Sequence, residues 1–296
     1  MKLNYLLLDV FTDKPLQGNG LAVVCKADGL MDNEMQAIAR EFNLSETVFL
    51  QKPHAERNTA SVRIFTPLVE LPFAGHPTVG AAVVLGLQSR LNAVRIEEKV
   101  GLITAIVEKI DKRTGEARFA LPVLPEEAGK APDARAIARK LGLEPEDIGC
   151  GLFQPSVYSA GVVFYLVPVR NAAALARISL DTAGWEETFP LGQHSVYVFT
   201  ETPEEPGNDF AARMFAPGMG IGEDPGTGAA AAALIGLLAK HATFIGGQAD
   251  YQLRQGYEMG RPCLITVQVR KEDDRLVHGG IGGKAVIVGE GVLDLD

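Results

Sequence analysis

The sequence predicts a protein of two related halves, each of which combines short strands with one buried helix. Two stretches share a skeleton, RIFTPLVELPFAGHPTVGAA from Arg63 and RMFAPGMGIGEDPGTGAA from Arg213. The Arg, Phe and Pro of the first recur 150 positions later, and His76 with its proline recurs 148 positions later as Asp224 with its proline. The runs LITAIV and LITVQV, 162 positions apart, give weak further support. A chain of 296 residues has room for two such halves.

An apolar run follows the polar residue and proline in each stretch, TVGAAVVLGL after His76 and GTGAAAAALIGLL after Asp224. Because proline is favoured in the first helical turn and a polar residue caps it, both pairs are predicted to start a helix. A helix without a polar face is typically buried, so we expect each to be the central helix of its half. Glycine-rich helix starts attract anions, which predicts a carboxylate site in a cleft between the halves. The alternative is a pair of tight strand-to-helix turns whose glycines serve packing alone.

The remaining elements follow from periodicity and turn residues. Apolar runs predict strands at 3–10, 20–25, 48–50, 93–97, 101–108, 116–121, 159–169, 250–256 and 263–270. Helical spacing of apolar residues predicts helices over 32–42 and 134–142. Prolines and charges indicate a linker at 121–133, and glycines indicate a hinge at 279–283 before a final strand.

Composition excludes several classes of function. The net charge of −9 and the pI near 5.2 argue against nucleic acid or an anionic membrane as a partner. No apolar run is long enough for a signal peptide or a membrane span. Three widely spaced cysteines and five scattered histidines predict reduced thiols in a cytoplasm and no metal site. The loop GMGIGEDPGTG lacks the lysine of a phosphate-binding loop, so no nucleotide cofactor is expected.

Glu46 is a candidate general acid/base because it lies at the entry to an apolar strand, in NLSETVFL. Partial burial raises the pKa of a carboxyl group toward neutrality, where proton transfer is efficient. The alternative is a solvated loop residue or a capping partner of Ser45. The repeat that contains His76 follows one strand later and favours the catalytic interpretation.

Five motifs together resemble the PhzF-like phenazine biosynthesis family of cofactor-independent isomerases, which shares the diaminopimelate epimerase fold. They are DVFTDKPLQGNGLAVV, NLSETVFL, the two repeated stretches and GRPCLI, and they span the chain. The resemblance implies an α+β fold of two pseudo-symmetric domains, each a curled, mostly antiparallel sheet wrapped around a central helix. The last strand of that fold returns to the first domain, which gives expected domains of 1–120 with about 284–296, and of 121–283. Members of the family are usually homodimers.

The same resemblance implies the site residues. The glutamate of the family's LSET motif corresponds to Glu46, its GHP histidine to His76, and the aspartate of its DP-x-TG motif to Asp224. Ala229 stands where the phenazine enzyme has serine, so a hydroxyl contact is lost while the backbone N–H contact is kept. The implied substrate-binding residues are Asn19, Gly75, Gly228 and Ala229.

These residues predict an isomerase that needs neither cofactor nor metal and that binds a small carboxylic acid. Glu46 would remove a proton from one carbon and return it elsewhere on the same face. One alternative is an amino- or hydroxy-acid epimerase or racemase with Asp224 or His76 as second base, and another is a non-catalytic protein that binds small acids. No cysteine lies near either expected helix start, which argues against racemisation by two thiols.

Overall fold

The computed structural model describes residues 1–89, 91–204, 207, 209–241 and 245–295. It is a mixed α+β fold in which strands predominate, which confirms the predicted class. The chain divides into two compact units, Met1–Pro122 with Ile281–Asp296, and Val123–Gly280. Within the described ranges, the helices are too short or too polar to cross a bilayer.

The first unit places strands around one long apolar helix. Its elements are β1 (Lys2–Val10), β2 (Asn19–Val24), α1 (Asp32–Phe42), β3 (Glu46–Gln51), β4 (Ala60–Phe65), β5 (Glu70–Leu71), α2 (Gly75–Gln88), β6 (Ala93–Glu98), β7 (Gly101–Lys109) and β8 (Thr114–Ala120). The helix α2 packs on β1, β2, β3, β6, β7 and β8. Two glycines allow this packing, because a Cβ at Gly80 would lie 2.4 Å from Leu21 and one at Gly86 would lie 2.5 Å from Val107.

The second unit repeats this plan with additional short helices. Its elements are β9 (Glu126–Gly129), α3 (Ala134–Leu141), β10 (Ser156–Ser159), β11 (Val163–Pro168), α4 (Ala172–Ala176), α5 (Trp185–Thr188), β12 (Val196–Glu201), β13 (Phe210–Ala216), β14 (Ile221–Asp224), α6 (Gly228–His241), β15 (Gln248–Gln255) and β16 (Cys263–Glu272). The long helix α6 packs on β9, β10, β11 and β16. A Cβ at Gly236 would lie 2.5 Å from the ring of Tyr158, so this glycine allows the close approach of helix and strand.

Both units pair their strands in one order. In the first unit β2 runs parallel to β3, β3 antiparallel to β4, β4 parallel to β6, and β6 antiparallel to β7. In the second unit β11 runs parallel to β12, β12 antiparallel to β13, β13 parallel to β15, and β15 antiparallel to β16. Positions in one unit can therefore be matched to positions in the other by strand register.

The final strand, β17 (Arg275–Asp294), begins before the predicted glycine hinge, and within 279–283 the chain passes from the second unit back to the first, as expected. The strand is continuous through residues 279–283, and Ala285 to Asp294 pair antiparallel with β1. The reason is close packing, since a Cβ at Gly282 would lie 2.9 Å from the Cβ of Arg118 and 3.0 Å from the carbonyl oxygen of Ala117. The glycine admits a neighbouring strand, and β17 is not interrupted there.

Two further expectations in the second unit were right in place and wrong in detail. The apolar run 159–169 contains the strand β11, but its first residues are not part of that strand, because β10 ends at Ser159 and a turn with Gly161 at φ +104° leads into β11. The expected linker 121–133 does contain the boundary between the units, after Pro122, but it also contains the short strand β9, which pairs with β10. Apolar composition marked the buried segments but did not show where the chain reverses.

Candidate active site

Glu46 is the first residue of β3, at the point where the chain enters the sheet. The helix α1 ends at Phe42, Asn43 adopts the left-handed conformation at φ +50°, and the strand begins three residues later. Parallel pairing places Glu46 beside Leu21 of β2. Its side chain is 15 % exposed, so the carboxylate is largely shielded from solvent while its backbone is fixed by the sheet.

His76 is the second residue of α2, and its imidazole reaches two predicted site residues. Nε2 lies 3.4 Å from Oε2 of Glu46, and Nδ1 lies 3.4 Å from the amide Nδ2 of Asn19, the first residue of β2. The His76 side chain is 5 % exposed. The structure therefore brings Asn19, Glu46 and His76 together in the first unit.

Burial keeps His76 uncharged. It lowers the pKa of His76 to about 3, so the ring is a neutral imidazole at physiological pH. A neutral imidazole has one N–H group, and its position follows from its neighbours. If the Asn19 amide donates to Nδ1, the proton is on Nε2, which lies 3.4 Å from Oε2 of Glu46 without the geometry of a hydrogen bond. This tautomer is assigned from the hydrogen-bonding pattern.

Asp224 is also buried, but the structure corrects its expected place at a helix start. It is the last residue of β14 and pairs with Met214 of β13, whereas α6 begins four residues later at Gly228. The hydroxyl of Thr227 donates to Oδ2 of Asp224 at 2.5 Å. The proline after Asp224 therefore lies in a connecting segment, and Thr227 immediately precedes the helix.

The glycines and the alanine expected to bind a substrate carboxylate do lie in first turns. Gly75 and Gly228 are the first residues of α2 and α6, and Ala229 is the second residue of α6. The first N–H groups of a helix have no partner within that helix, and the helix dipole favours a negative charge near them. These positions suit an anion.

An arginine–glutamate pair precedes the site segment in each unit, and the sequence interpretation identified only the arginines. Nε and Nη2 of Arg63 donate to the two carboxylate oxygens of Glu70 at 2.8 and 2.7 Å. The same atoms of Arg213 donate to Glu223 at 2.8 Å each. The arginines recur 150 positions apart, but the loops between partners differ in length, which hid the glutamates. Each pair fixes a short hairpin, and Glu223 immediately precedes Asp224.

A buried amide was also missed. Gln255, the last residue of β15, donates from Nε2 to the carbonyl oxygen of Asp224 at 2.8 Å and to the hydroxyl of Thr227 at 3.0 Å. Its Oε1 accepts from the backbone N–H of Thr227 and from the hydroxyl of Tyr197, both at 3.1 Å. A single polar residue at the end of a strand gives no sequence signal for such a network.

Two other features bear on ligands. Among the residues that the structure describes, no three His, Cys, Asp or Glu side chains form a group suited to a metal ion. A cavity of about 1120 Å³ in the first unit is lined by residues that include Lys2, Lys26 and Lys52, and its lining contains neither Glu46 nor His76. This cavity is separate from the Glu46–His76 pair.

Comparison with known proteins supplies the context of the site. A family model described as "Phenazine biosynthesis-like protein" matches residues 8–291. An uncharacterized isomerase of Mesorhizobium japonicum is 41% identical, with 98% of both chains covered. Trans-2,3-dihydro-3-hydroxyanthranilate isomerase of Pseudomonas chlororaphis is 32% identical, with 99% of both covered. The crystal structure of a Bacillus anthracis phenazine biosynthesis protein of the PhzF family matches at a TM-score of 0.87 and 24% identity, with all of both chains covered.

Proposed function

We propose that Glu46 is the general acid/base of this chain, which belongs to the phenazine biosynthesis-like family and is an isomerase. The observation that carries the proposal is the 3.4 Å approach of its carboxyl group to the buried, neutral imidazole of His76. A neutral imidazole can donate a hydrogen bond to a reacting atom without adding a positive charge to the site. A carboxylate held beside such a donor suits proton transfer at carbon.

The proposed reaction moves one proton within the substrate. The carboxylate of Glu46 takes a proton from a carbon next to a conjugated system, and the electron pair of the broken C–H bond shifts the double bond. The protonated carboxyl group then returns the proton to a second carbon on the same face. Nothing is oxidised or reduced, so the reaction needs no redox cofactor, and the proposed proton shift uses the Glu46 carboxyl group alone.

His76, Asn19 and Asp224 take positioning roles in this proposal. In the proposed reaction His76 donates from Nε2 to the delocalised intermediate, and Asn19 holds the tautomer by its contact with Nδ1. Asp224, which accepts from Thr227, has lone pairs for a hydroxyl or amine of the substrate. Removal of one such polar contact in a transition state lowers the rate by about 10²-fold.

The substrate carboxylate is proposed to bind the backbone N–H groups of Gly75, Gly228 and Ala229. Their first-turn positions support this role, because helix N-termini favour anions. Local dipoles matter here because the net charge of −9 repels an acidic ligand at long range. Ala229 contributes only its N–H group, so contact there is independent of any side-chain hydroxyl.

The substrate class is a small, cyclic or unsaturated carboxylic acid that carries an amino or hydroxyl group. The proposal draws on relatives named for the isomerisation of trans-2,3-dihydro-3-hydroxyanthranilate, of which the Pseudomonas chlororaphis protein is 32% identical to this chain. That compound has an acidic C–H beside a conjugated system and is the first probe to use.

The two units are further proposed to be pseudo-symmetric domains of one duplicated design, each a curled sheet around its long helix. The common order of parallel and antiparallel strand pairs supports the duplication. We expect a cytoplasmic homodimer whose only ligand is the small acid, with no nucleic-acid or membrane partner. The cysteines, Cys25, Cys150 and Cys263, are not joined by disulfides among the described residues, in keeping with a reducing compartment. Light scattering at micromolar concentration tests the dimer.

Proton NMR in D₂O tests the function. Wild type, Glu46→Gln and a control, Glu126→Gln, are each incubated with trans-2,3-dihydro-3-hydroxyanthranilate and with a panel of related acids. Glu126 also begins a strand, but it is exposed. We expect rearrangement with wild type and control, and a loss of at least about 10³-fold in Glu46→Gln. Near-full turnover by Glu46→Gln would refute the assignment. Deuterium entry with inversion at one carbon would indicate an epimerase, and binding without exchange a non-catalytic protein.

A further inference from the structure

The last residues of β6 and β15 occupy the same register position in the two units. In the first unit Ala60 of β4 pairs with Ile96 of β6, and in the second Phe210 of β13 pairs with Leu253 of β15. Ala60 and Phe210 are 150 positions apart, as are the two repeated arginines. Glu98 lies two positions after Ile96 and is the last residue of β6. Gln255 lies two positions after Leu253 and is the last residue of β15.

The antiparallel neighbours give the same equivalence. Glu98 pairs with Gly101 of β7, and Gln255 pairs with Cys263 of β16. Gly101 and Cys263 are 162 positions apart, which is also the offset of the two runs that begin Leu-Ile-Thr. The weak repeat seen in the sequence therefore corresponds to a strand register that the two units share.

In the second unit this position fixes the segment that carries Asp224. Gln255 is 1% exposed, and its amide donates to the Asp224 carbonyl and to the Thr227 hydroxyl. The Thr227 hydroxyl has a single proton, which it gives to the Asp224 carboxylate. It must therefore accept from Gln255. The Gln255 amide therefore links the end of β15, through Thr227 at the start of α6, to Asp224.

In the first unit Glu98 makes the corresponding contact. Its Oε1 lies 2.8 Å from the hydroxyl oxygen of Thr78, in the first turn of α2, and that oxygen lies 2.7 Å from the carbonyl oxygen of Ala74. A carbonyl oxygen can only accept, so the single hydroxyl proton of Thr78 serves Ala74. The second contact then requires a proton on Glu98. Oε2 of Glu98 is buried and has no hydrogen-bond partner among the described residues, a place where a negative charge would be costly.

We propose that Glu98 is a positioning residue that acts as a neutral carboxylic acid and does for His76 what the amide of Gln255 does for Asp224. Each donates to a threonine at the start of a long helix and so fixes the segment that presents a site residue. Ala74, which the bridge reaches in the first unit, is two residues before His76. The kinetic test of this inference rests on the proposed function, whereas the hydrogen–deuterium exchange test rests on the fold alone.

The surroundings of Glu98 keep it protonated near neutral pH. Burial raises the pKa of Glu98 to about 8. The helix α2 contributes only the neutral His76 as a titratable group. The charged residues on the adjoining strands are Arg63 in β4 and Glu108 and Lys109 in β7. Arg95 and Glu97 lie in β6 itself, and Lys99 directly follows Glu98.

Four variants test the inference. Glu98→Gln keeps a donor at the position and removes the titration, whereas Glu98→Met removes the donor and keeps an apolar chain of similar length. Gln255→Met is the equivalent deletion in the second unit. Glu97→Gln is the matched control, because Glu97 contacts His54 and Asn58 on the loop before β4. The readouts are kcat and KM for the isomerisation of trans-2,3-dihydro-3-hydroxyanthranilate from pH 6 to 9, and hydrogen–deuterium exchange of residues 73–80.

We expect Glu98→Met to lose about tenfold in kcat with little change in KM, and to speed exchange at residues 73–80 by a similar factor. Glu98→Gln should stay within about threefold of wild type in both readouts and should lose the fall in kcat above pH 8. Equal damage in the glutamine and methionine variants, or an unchanged methionine variant, would overturn the proposal. If wild type turns over no substrate, the proposed function fails, while the exchange pattern still supports or rejects the role of Glu98.

Discussion

The two units use one strand order to hold different chemistry. In the first unit Glu46 precedes Thr47, which pairs with Phe65. In the second unit Ser195 precedes Val196, which pairs with Phe215. Because Phe65 and Phe215 are equivalent in the repeat, Ser195 occupies the position that matches Glu46. The first unit thus holds a carboxylate and an imidazole in contact, whereas Asp224 in the second is held by hydroxyl and amide groups. A two-base epimerase would need its second base at another position, such as His76 or Asp224, whereas a proton shift on one face is expected to need the Glu46 carboxyl group alone.

The largest expected effect separates Glu46 from its counterpart. Glu46→Gln should lower kcat by at least about 10³-fold, because the amide cannot accept the proton. Ser195→Ala should stay within about threefold of wild type, since the Ser195 hydroxyl bonds to Gln193 and serves no proposed step. Steady-state NMR rates of the two variants give the comparison. Comparable losses in both would mean that the two units share the chemistry.

A smaller loss is expected in the second unit. Asp224→Asn should lower kcat/KM by about 10²-fold, because the amide keeps the shape of the carboxylate but loses acceptor capacity toward a substrate. Thr227→Val should lose about tenfold, since it removes the donor to Asp224 and leaves the Asp224 carboxylate in place. Kinetics of both variants at saturating and limiting substrate test this order. A full-activity Asp224→Asn enzyme would restrict the proposed site to the first unit.

The buried titratable groups of the first unit predict opposite pH effects on stability. The pKa of His76 in the folded state is lowered to about 3. The contribution of His76 to the free energy of unfolding is therefore fully present above pH 6.5 and is lost as the pH falls from 6.5 to about 3. Glu98 has its folded pKa raised to about 8, so stability is lost as the pH rises from about 4.5 to 8. Glu98→Gln should therefore gain a few degrees in Tm over wild type at pH 8 and little at pH 5. A gain that does not depend on pH would contradict a buried neutral acid.

The smallest expected effect on stability concerns the arginine–glutamate pair that each unit contains. Arg213→Lys should cost about 1–2 kcal/mol of unfolding free energy, because lysine cannot form two parallel bonds to Glu223. Arg63→Lys should cost less, since the arginine side chain is 19% exposed against 10% for Arg213. Arg213 also donates to the carbonyl oxygen of Leu175. Urea unfolding measures both, and a larger cost for Arg63→Lys would reverse this ranking.

The sequence predicted elements whose signal is local. The apolar spacing of residues 32–42 gave both bounds of α1, and the strand after Glu46 was found from its apolar run. The family resemblance, now confirmed by the match over residues 8–291, supplied the fold class. A proline after Asp224 looked like a helix start, but the side chain of Thr227 is the one that immediately precedes α6.

The rest could not be predicted because it depends on pairing across the chain. Glu98 and Gln255 become equivalent only when the strands beside them are known, since they are 157 positions apart while the helices' motifs are 148 apart. The partners of Arg63 and Arg213 were hidden for the same reason. The turn at Gly161 lies within an apolar run that no periodicity divides. Buried polar contacts of this kind are set by register, which a single sequence does not give.

The strand β17 has a consequence for the order in which the molecule is built. Its residues from Ile281 onward complete the first unit, yet they leave the ribosome only after the whole second unit. Until then β1 has β2 on one side and lacks its other neighbour, so an unpaired edge is exposed during synthesis. The second unit can fold while the chain is being made, whereas the unit that carries Glu46 matures last. Nascent chains stopped before Ile281 should therefore be prone to aggregate through β1.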